Sequence, residues 1–279
     1  MRVELSEVTL EAAIGGGTGP AVLLVHGFPD THDCWRHQIA ALDAAGYRTI
    51  APDLRGFGGS DRPEGTDAYA PARSAADLLE LLDRLEVDRA HLVGHDWGSA
   101  IVQQLATTAP ERVASLSILS VGGALLEAGW EQRQRSWYML LFQFPGISED
   151  YLARDDFARF REMLGEHPDA DAIVDGLRAP GALTAALSIY RAGAPPEVLF
   201  GPVPARPPLP GPVLGVWSTG DRFLTEESMT GTDKHVSGSW RYERVEGAGH
   251  WLQLDAPERV NELLLDFIAE TEPTGKAAV

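Results

Sequence analysis

A chain of 279 residues is long enough for one large α/β domain or for a domain carrying an insertion, and 44% hydrophobic residues suffice for a substantial core. An excess of 41 acidic over 23 basic side chains gives a formal net charge of −18, which repels phosphate backbones and anionic lipid and argues against nucleic acid and membrane surfaces as partners. One cysteine, Cys34, rules out an internal disulfide framework; no apolar run reaches bilayer length, and the start Met1-Arg2-Val3-Glu4 carries no basic-then-apolar leader, so the expected location is the cytoplasm.

In chain order, residues 2–5 and 8–13 read as two edge strands, followed by a glycine-rich loop at 15–20. The continuous apolar run at 21–25 is expected of a strand buried on both faces, and it ends at His26-Gly27-Phe28-Pro29. A helix over 35–45, a strand over 47–51 and a glycine-rich loop over 53–61 come next. Leu78, Leu79, Leu81, Leu82 and Leu85 recur at helical spacing within 74–85. A short apolar strand then runs into Gly94-His95-Asp96-Trp97-Gly98 and a helix over 99–109, followed by a strand over 113–119. Strands alternating with helices call for a mainly parallel sheet covered on both faces.

This rhythm breaks at Gly122-Gly123 and resumes only at Val213. The stretch between reads as a helical cap inserted into the α/β core, so the expected division is core at 1–121 and 210–279 and cap at 122–209. Trp130, Trp137, Tyr138, Leu141 and Phe142 are expected on one side of its first helix, and 181–192 forms its last. The proline-rich exit over 201–210 can only be an extended strap. The alternation then returns with a strand to Trp217, a helix near 226–236, a strand near 240–245 and a helix over 257–269; 271–279 reads as a disordered end.

The stretch around Asp96 has two readings of its own. A Gly-x-Asp-x-Gly turn between strand and helix is the form of a nucleophile elbow with Asp in the usual place of Ser, and a carboxylate there can displace a leaving group from saturated carbon to give an ester of its own side chain. The bland reading has turn glycines and an Asp capping the next helix. Asp221 after the strand ending at Trp217, and His250 in Gly249-His250-Trp251, change the balance. Together with Asp96 they run nucleophile, acid, histidine along the chain, and three weak signals become one joint signal. The histidines show no metal-ligand spacing, and no metal or cofactor is expected.

Over essentially its full length the chain resembles the α/β-hydrolase superfamily, and within it the soluble epoxide hydrolases. His26-Gly27-Phe28-Pro29 is similar to that family's oxyanion loop, residues 53–60 to its Asp-x-Arg-Gly-x-Gly-x-Ser loop, and 94–98 to its Asp elbow. In the cap, Tyr138-Met139-Leu140-Leu141-Phe142-Gln143-Phe144-Pro145-Gly146 is similar to the family's Tyr-x-x-x-Phe-Gln-x-Pro-Gly, and Tyr190-Arg191 to its second tyrosine. Phe144 departs from a commonly acidic position, and Ser188-Ile189 stand where Asn-Trp is frequent; both departures are expected to bear on substrate fit.

The resemblance implies an α/β-hydrolase fold with Asp96 as nucleophile, His250 and Asp221 as base and orienting acid, and Tyr138 and Tyr190 as acids. It also implies an oxyanion hole from the backbone of Phe28 and Trp97, and a substrate pocket touched by Phe28, Trp97 and Trp251. The expected partners are a small apolar epoxide and water, with the protein a monomer or homodimer. Haloalkane dehalogenase is the nearest rival, since it shares the Asp nucleophile and the Trp after it, but it pairs that Trp with a second N–H donor where Phe28 has none. A non-catalytic ligand receptor is the rival from another class, and it has no use for a His–Asp pair.

Overall fold

The computed structural model describes residues 1–203 and 205–272. Beyond Glu272, the segment read as disordered lies outside the described residues. Eight strands form one sheet: β1 (Arg2–Glu4), β2 (Thr9–Ile14), β3 (Ala21–Val25), β4 (Arg48–Pro52), β5 (Ala90–His95), β6 (Val113–Leu119), β7 (Val213–Ser218) and β8 (Trp240–Val245). They lie in the order β1-β2-β4-β3-β5-β6-β7-β8, antiparallel at β1/β2 and β2/β4 and parallel from β4 onward. Of the two strands expected at the edge, β1 is the edge and β2 is covered by β4.

The central position of β3 and β5 explains their composition. Every residue of both strands is buried, because helices cover the sheet on both sides and leave no face for polar alternation. On the core side the helices are α1 (Arg36–Ala44), α2 (Pro71–Arg84) and α3 (Trp97–Thr108). Helix α2 starts earlier than the leucine pattern suggests, since Pro71 occupies its first turn, where a missing N–H costs nothing. Leu78, Leu81 and Leu82 of α2 are fully buried, each contributing about 1.5–3 kcal/mol relative to an exposed side chain.

Between β6 and β7 the chain makes a helical insertion: α4 (Trp130–Arg135), α5 (Trp137–Phe142), α6 (Ile147–Leu164), α7 (Ala170–Leu177), α8 (Ala182–Gly193) and α9 (Pro196–Phe200). Two sequence expectations fail here: α8, read as the last helix, is followed by α9, and the expected first helix is interrupted. The single aromatic-faced first helix is two short helices meeting at Ser136, and Trp130 and Trp137 are 73% and 61% exposed while Tyr138 and Phe142 are buried. Ser136 leaves helical geometry at ψ 13, and its hydroxyl accepts a hydrogen bond from Gln132 Nε2 at 2.9 Å. Phe144 also stands on the outside, 54% exposed.

The return is through residues 205–208, without regular structure, to a bridge between Leu209 and Val236. The core is completed by α10 (Glu226–Thr230), α11 (Leu252–Asp255) and α12 (Pro257–Thr271). Among the described residues no single helix is long and apolar enough to cross a membrane.

Candidate active site

Strand β5 hands over to α3 at Asp96, whose backbone sits at φ 52, ψ −120, a conformation most side chains avoid. The turn is possible because its neighbours lack side chains. A Cβ on Gly94 would lie 2.5 Å from the Gly98 backbone, and one on Gly98 only 2.0 Å from the Val25 carbonyl oxygen. The carboxylate is thereby held at the carboxyl edge of the parallel strands, where such sheets place their ligands.

Asp96 Oδ1 accepts a hydrogen bond from the Phe28 backbone N–H at 2.9 Å, and the Trp97 N–H also stabilises the carboxylate. Its second oxygen stands 3.7 Å from His250 Nε2. Burial works to raise the Asp96 pKa, but the adjacent positively charged His250 outweighs it and holds the group below its ordinary value. Phe28 is placed by a braced loop. His26 Nδ1 donates to the Gly27 carbonyl at 2.8 Å while Nε2 accepts from the Leu54 N–H at 2.9 Å, which fixes a neutral imidazole.

His250 and Asp221 meet behind Asp96, with His250 Nδ1 at 3.0 Å from Asp221 Oδ2. The other Asp221 oxygen accepts from the N–H groups of Phe223 at 2.8 Å and Leu224 at 3.0 Å. Burial alone would depress the His250 pKa. Two flanking carboxylates, Asp221 first and then Asp96, reverse this and raise it well above an ordinary histidine.

The sequence reading missed a third group at this junction. Ser120, directly after β6, is fully buried at φ 69; its hydroxyl donates to Asp221 Oδ2 and lies 2.9 Å from His250 Nδ1. The signal was positional only: a polar residue at the carboxyl end of a central strand, within no recognised motif.

Two helices of the insertion bring Tyr138 and Tyr190 over Asp96. Their ring centroids are 6.0 Å apart, both are buried, and both line the same cavity as Asp96. Burial, with the negative charge of Asp96 adding to it, pushes both phenols well above an ordinary tyrosine, so they stay protonated. Tyr190 packs edge-on against Phe28 at 5.0 Å and Trp97 at 5.1 Å.

The two tyrosines sit on separate helices, and two polar clips hold them together. Gln143 Nε2 lies within hydrogen-bond reach of the Met139, Tyr190 and Ala194 carbonyls, at 3.1, 3.2 and 3.2 Å, tying α5 to α8. Arg191, next to Tyr190, donates to the Phe142 carbonyl at 2.8 Å and pairs with Glu149 at 2.8 Å. Burial would raise the Glu149 carboxyl, yet Arg191 holds it down at about 2. Sequence pattern marked Gln143 and Arg191 without showing what they do.

Two cavities meet at Asp96. The larger, about 300 Å³, extends along α3 past Trp97 and Ala100 to Gln103 and Gln104. The smaller, about 20 Å³, is lined by Phe28, Met163, Phe223, His250 and Trp251 among others. Trp251 therefore faces the site on the His250 side, its ring 5.0 Å from the imidazole. Among the described residues, no group of three or more His, Cys, Asp or Glu side chains is arranged to hold a metal ion.

Comparison with known proteins places the chain in a family. Residues 20–161 match the model of the alpha/beta hydrolase fold family. Epoxide hydrolase A of Mycobacterium tuberculosis is 34% identical, covering 97% of each chain, and epoxide hydrolase 3 of Xenopus tropicalis is 34% identical over 92% of this chain and 74% of that one. A solved structure of an epoxide hydrolase variant from Bacillus megaterium, complexed with a naphthyloxy-propanediol product, superposes with a TM-score of 0.85 at 27% identity, covering 96% of this chain and all of that one. The chain belongs to the epoxide hydrolase family of the α/β-hydrolase superfamily.

Proposed function

We propose that the protein hydrolyses an epoxide to a vicinal diol through an ester on Asp96, with the inserted helices, residues 122–209, acting as the cap over the site. The observation that carries this reading is the pairing of one ionised, buried carboxylate with two buried, protonated phenols across a cavity. Oδ1 of Asp96 is already engaged by the Phe28 N–H, which leaves Oδ2 to attack a ring carbon from behind. The C–O bond of the ring breaks as the new ester bond forms, and a hydrogen bond from Tyr138 or Tyr190 meets the departing alkoxide, one of them passing its proton. Such a donor is needed because an alkoxide leaves poorly in a dry pocket.

Alkylation also resets the base. In the free protein His250 lies between two carboxylates and holds its proton. Once Asp96 is a neutral ester, one of those charges is gone and the imidazolium becomes more acidic; its proton returns to the tyrosine that protonated the alkoxide, and the neutral imidazole can then take a proton from water. That water attacks the ester carbonyl, whose oxygen is stabilised by the Phe28 and Trp97 N–H groups, and diol and free Asp96 are released.

The experiment is covalent capture: His250→Ala retains the nucleophile and the acids but lacks the base, so exposure to a terminal epoxide should add one substrate mass, mapping to Asp96. Label on any other residue would refute the assignment. The dehalogenase reading is weaker, since Phe28 supplies no side-chain donor beside Trp97 for a departing halide. Diol from epoxides with at most a trace of bromide from 1-bromobutane or 1,2-dibromoethane is the expected outcome; comparable rates would overturn it.

A further inference from the structure

The two cavities that meet at Asp96 differ more than tenfold in volume, and their walls differ in chemistry. The smaller, about 20 Å³ and lined by Met163, Leu164 and Phe223, has room for about one water molecule beside His250. The larger, about 300 Å³, is at the low end for a ligand pocket and is elongated, with Ala100, Leu125, Leu199 and Leu209 among its apolar walls. Its course follows α3 to Gln103, roughly 10 Å along the helix axis at about 1.5 Å per residue.

At that end the proline-rich strap brings in Arg206. One guanidinium N–H donates to the Gly123 carbonyl at 2.7 Å, which sets the fork at the cavity wall. Arginine carries five donors, and among the described residues Arg206 pairs with no carboxylate. His235 is the other wall residue able to carry positive charge, and it is occupied by Glu127 at 2.8 Å. In a protein of net charge −18, an arginine without a carboxylate partner at the end of an apolar channel is the feature that would admit an anion.

We propose that the substrate is a monosubstituted epoxide whose one long, apolar arm lies along α3 and ends in a carboxylate bound by Arg206. This rests on the epoxide hydrolase reading and specifies its substrate class. The arm spans about six to ten bonds between the ring and the carboxylate, given bond lengths of about 1.5 Å and the reach of the channel. Arg206 is exposed, so the carboxylate keeps part of its hydration while the apolar arm is buried. A charge-assisted, two-pronged contact in that setting is worth about a 10-fold preference.

The test compares kcat/KM for terminal epoxides of equal arm length ending in methyl, methyl ester or carboxylate, together with a trans-disubstituted epoxide bulky on both carbons. The wild type should favour carboxylate over methyl ester about 10-fold, mainly through KM; Arg206→Gln should bring that ratio to about one, Arg206→Lys should keep part of it, and the trans-disubstituted compound should be opened at least about 100-fold more slowly. A ratio of one or less in the wild type, a ratio unmoved in Arg206→Gln, or rapid opening of the trans-disubstituted epoxide would overturn the inference while leaving epoxide hydrolysis standing. If no epoxide in the series gives diol, the functional reading falls, and this inference with it.

Discussion

The two halves of the site are held by different physics. Asp96, Asp221 and His250 stand on turns at the ends of β5 and β7 and after β8, where the backbone of a close-packed sheet leaves no freedom; one Cβ at Gly98 would strike the neighbouring strand. Tyr138 and Tyr190 stand on α5 and α8, two helices of an insertion with no strand between them, and side-chain clips from Gln143 and Arg191 set their separation. A nucleophile has to be immobile, because displacement at carbon tolerates little error in approach. Donors to a departing oxygen tolerate more, and the two tyrosines stand on the helical insertion.

If this contrast is right, the largest loss follows from the core. Asp96→Ala removes the atom that forms the ester, and diol production should fall by about 10⁴-fold or more, as for other covalent nucleophiles. Ligand binding, followed by quenching of the tryptophans around the cavity with a non-reactive diol, should persist. Residual turnover within 100-fold of wild type would show that water attacks the ring directly.

A smaller loss is expected from the cap. Tyr138→Phe or Tyr190→Phe alone should slow single-turnover ring opening by roughly 10- to 1,000-fold, because the remaining phenol still meets the alkoxide, and the double variant should fall further. An unaffected double variant would make both residues mere packing aromatics.

Smaller again is the effect of loosening a clip. Gln143→Leu preserves volume and removes the donor shared by α5 and α8, so ring opening should slow by about 10-fold while breakdown of the alkyl-enzyme, which uses core residues, keeps its rate. Equal slowing of both steps would mean that cap and core do not act separately.

The finest probe is the pH profile of alkyl-enzyme breakdown. Its controlling pKa should lie below that of His250 in the free enzyme, because the ester has removed the charge of Asp96, and the rate should rise with pH to a plateau. Ser120→Ala should shift this profile to higher pH with only a few-fold loss at neutral pH. The sign follows from the contact: without the hydroxyl the Asp221 carboxylate is less stabilised, becomes more basic and holds the His250 proton more tightly. A profile that does not move, or that moves to lower pH, would remove Ser120 from the positioning of the pair.

Much of this molecule was readable before any coordinates. The alternation of apolar strands and amphipathic helices, the break after β6 and the resumption at β7 depend on local periodicity, and β6 and β8 fall where the pattern put them. The elbow was legible because its chemistry demands glycine on both sides of Asp96, a steric requirement written directly into adjacent positions. The first helix of the insertion differs from its pattern because the chain leaves helical geometry at Ser136, and Trp130 and Trp137, on either side of that break, both face outward.

What sequence alone determined was therefore whatever is encoded over a few neighbouring residues: the strands, the turn at Asp96, and the chain order of Asp96, Asp221 and His250. Only the tertiary structure decided that Ser120 touches both Asp221 and His250, that Gln143 joins two helices, that Phe144 faces outward, and that Arg206 ends the long arm of the cavity. Each of these joins residues far apart in the chain through a single polar contact or a shared wall, and such contacts leave no periodic trace because they depend on how separate elements happen to pack rather than on the spacing within any one of them.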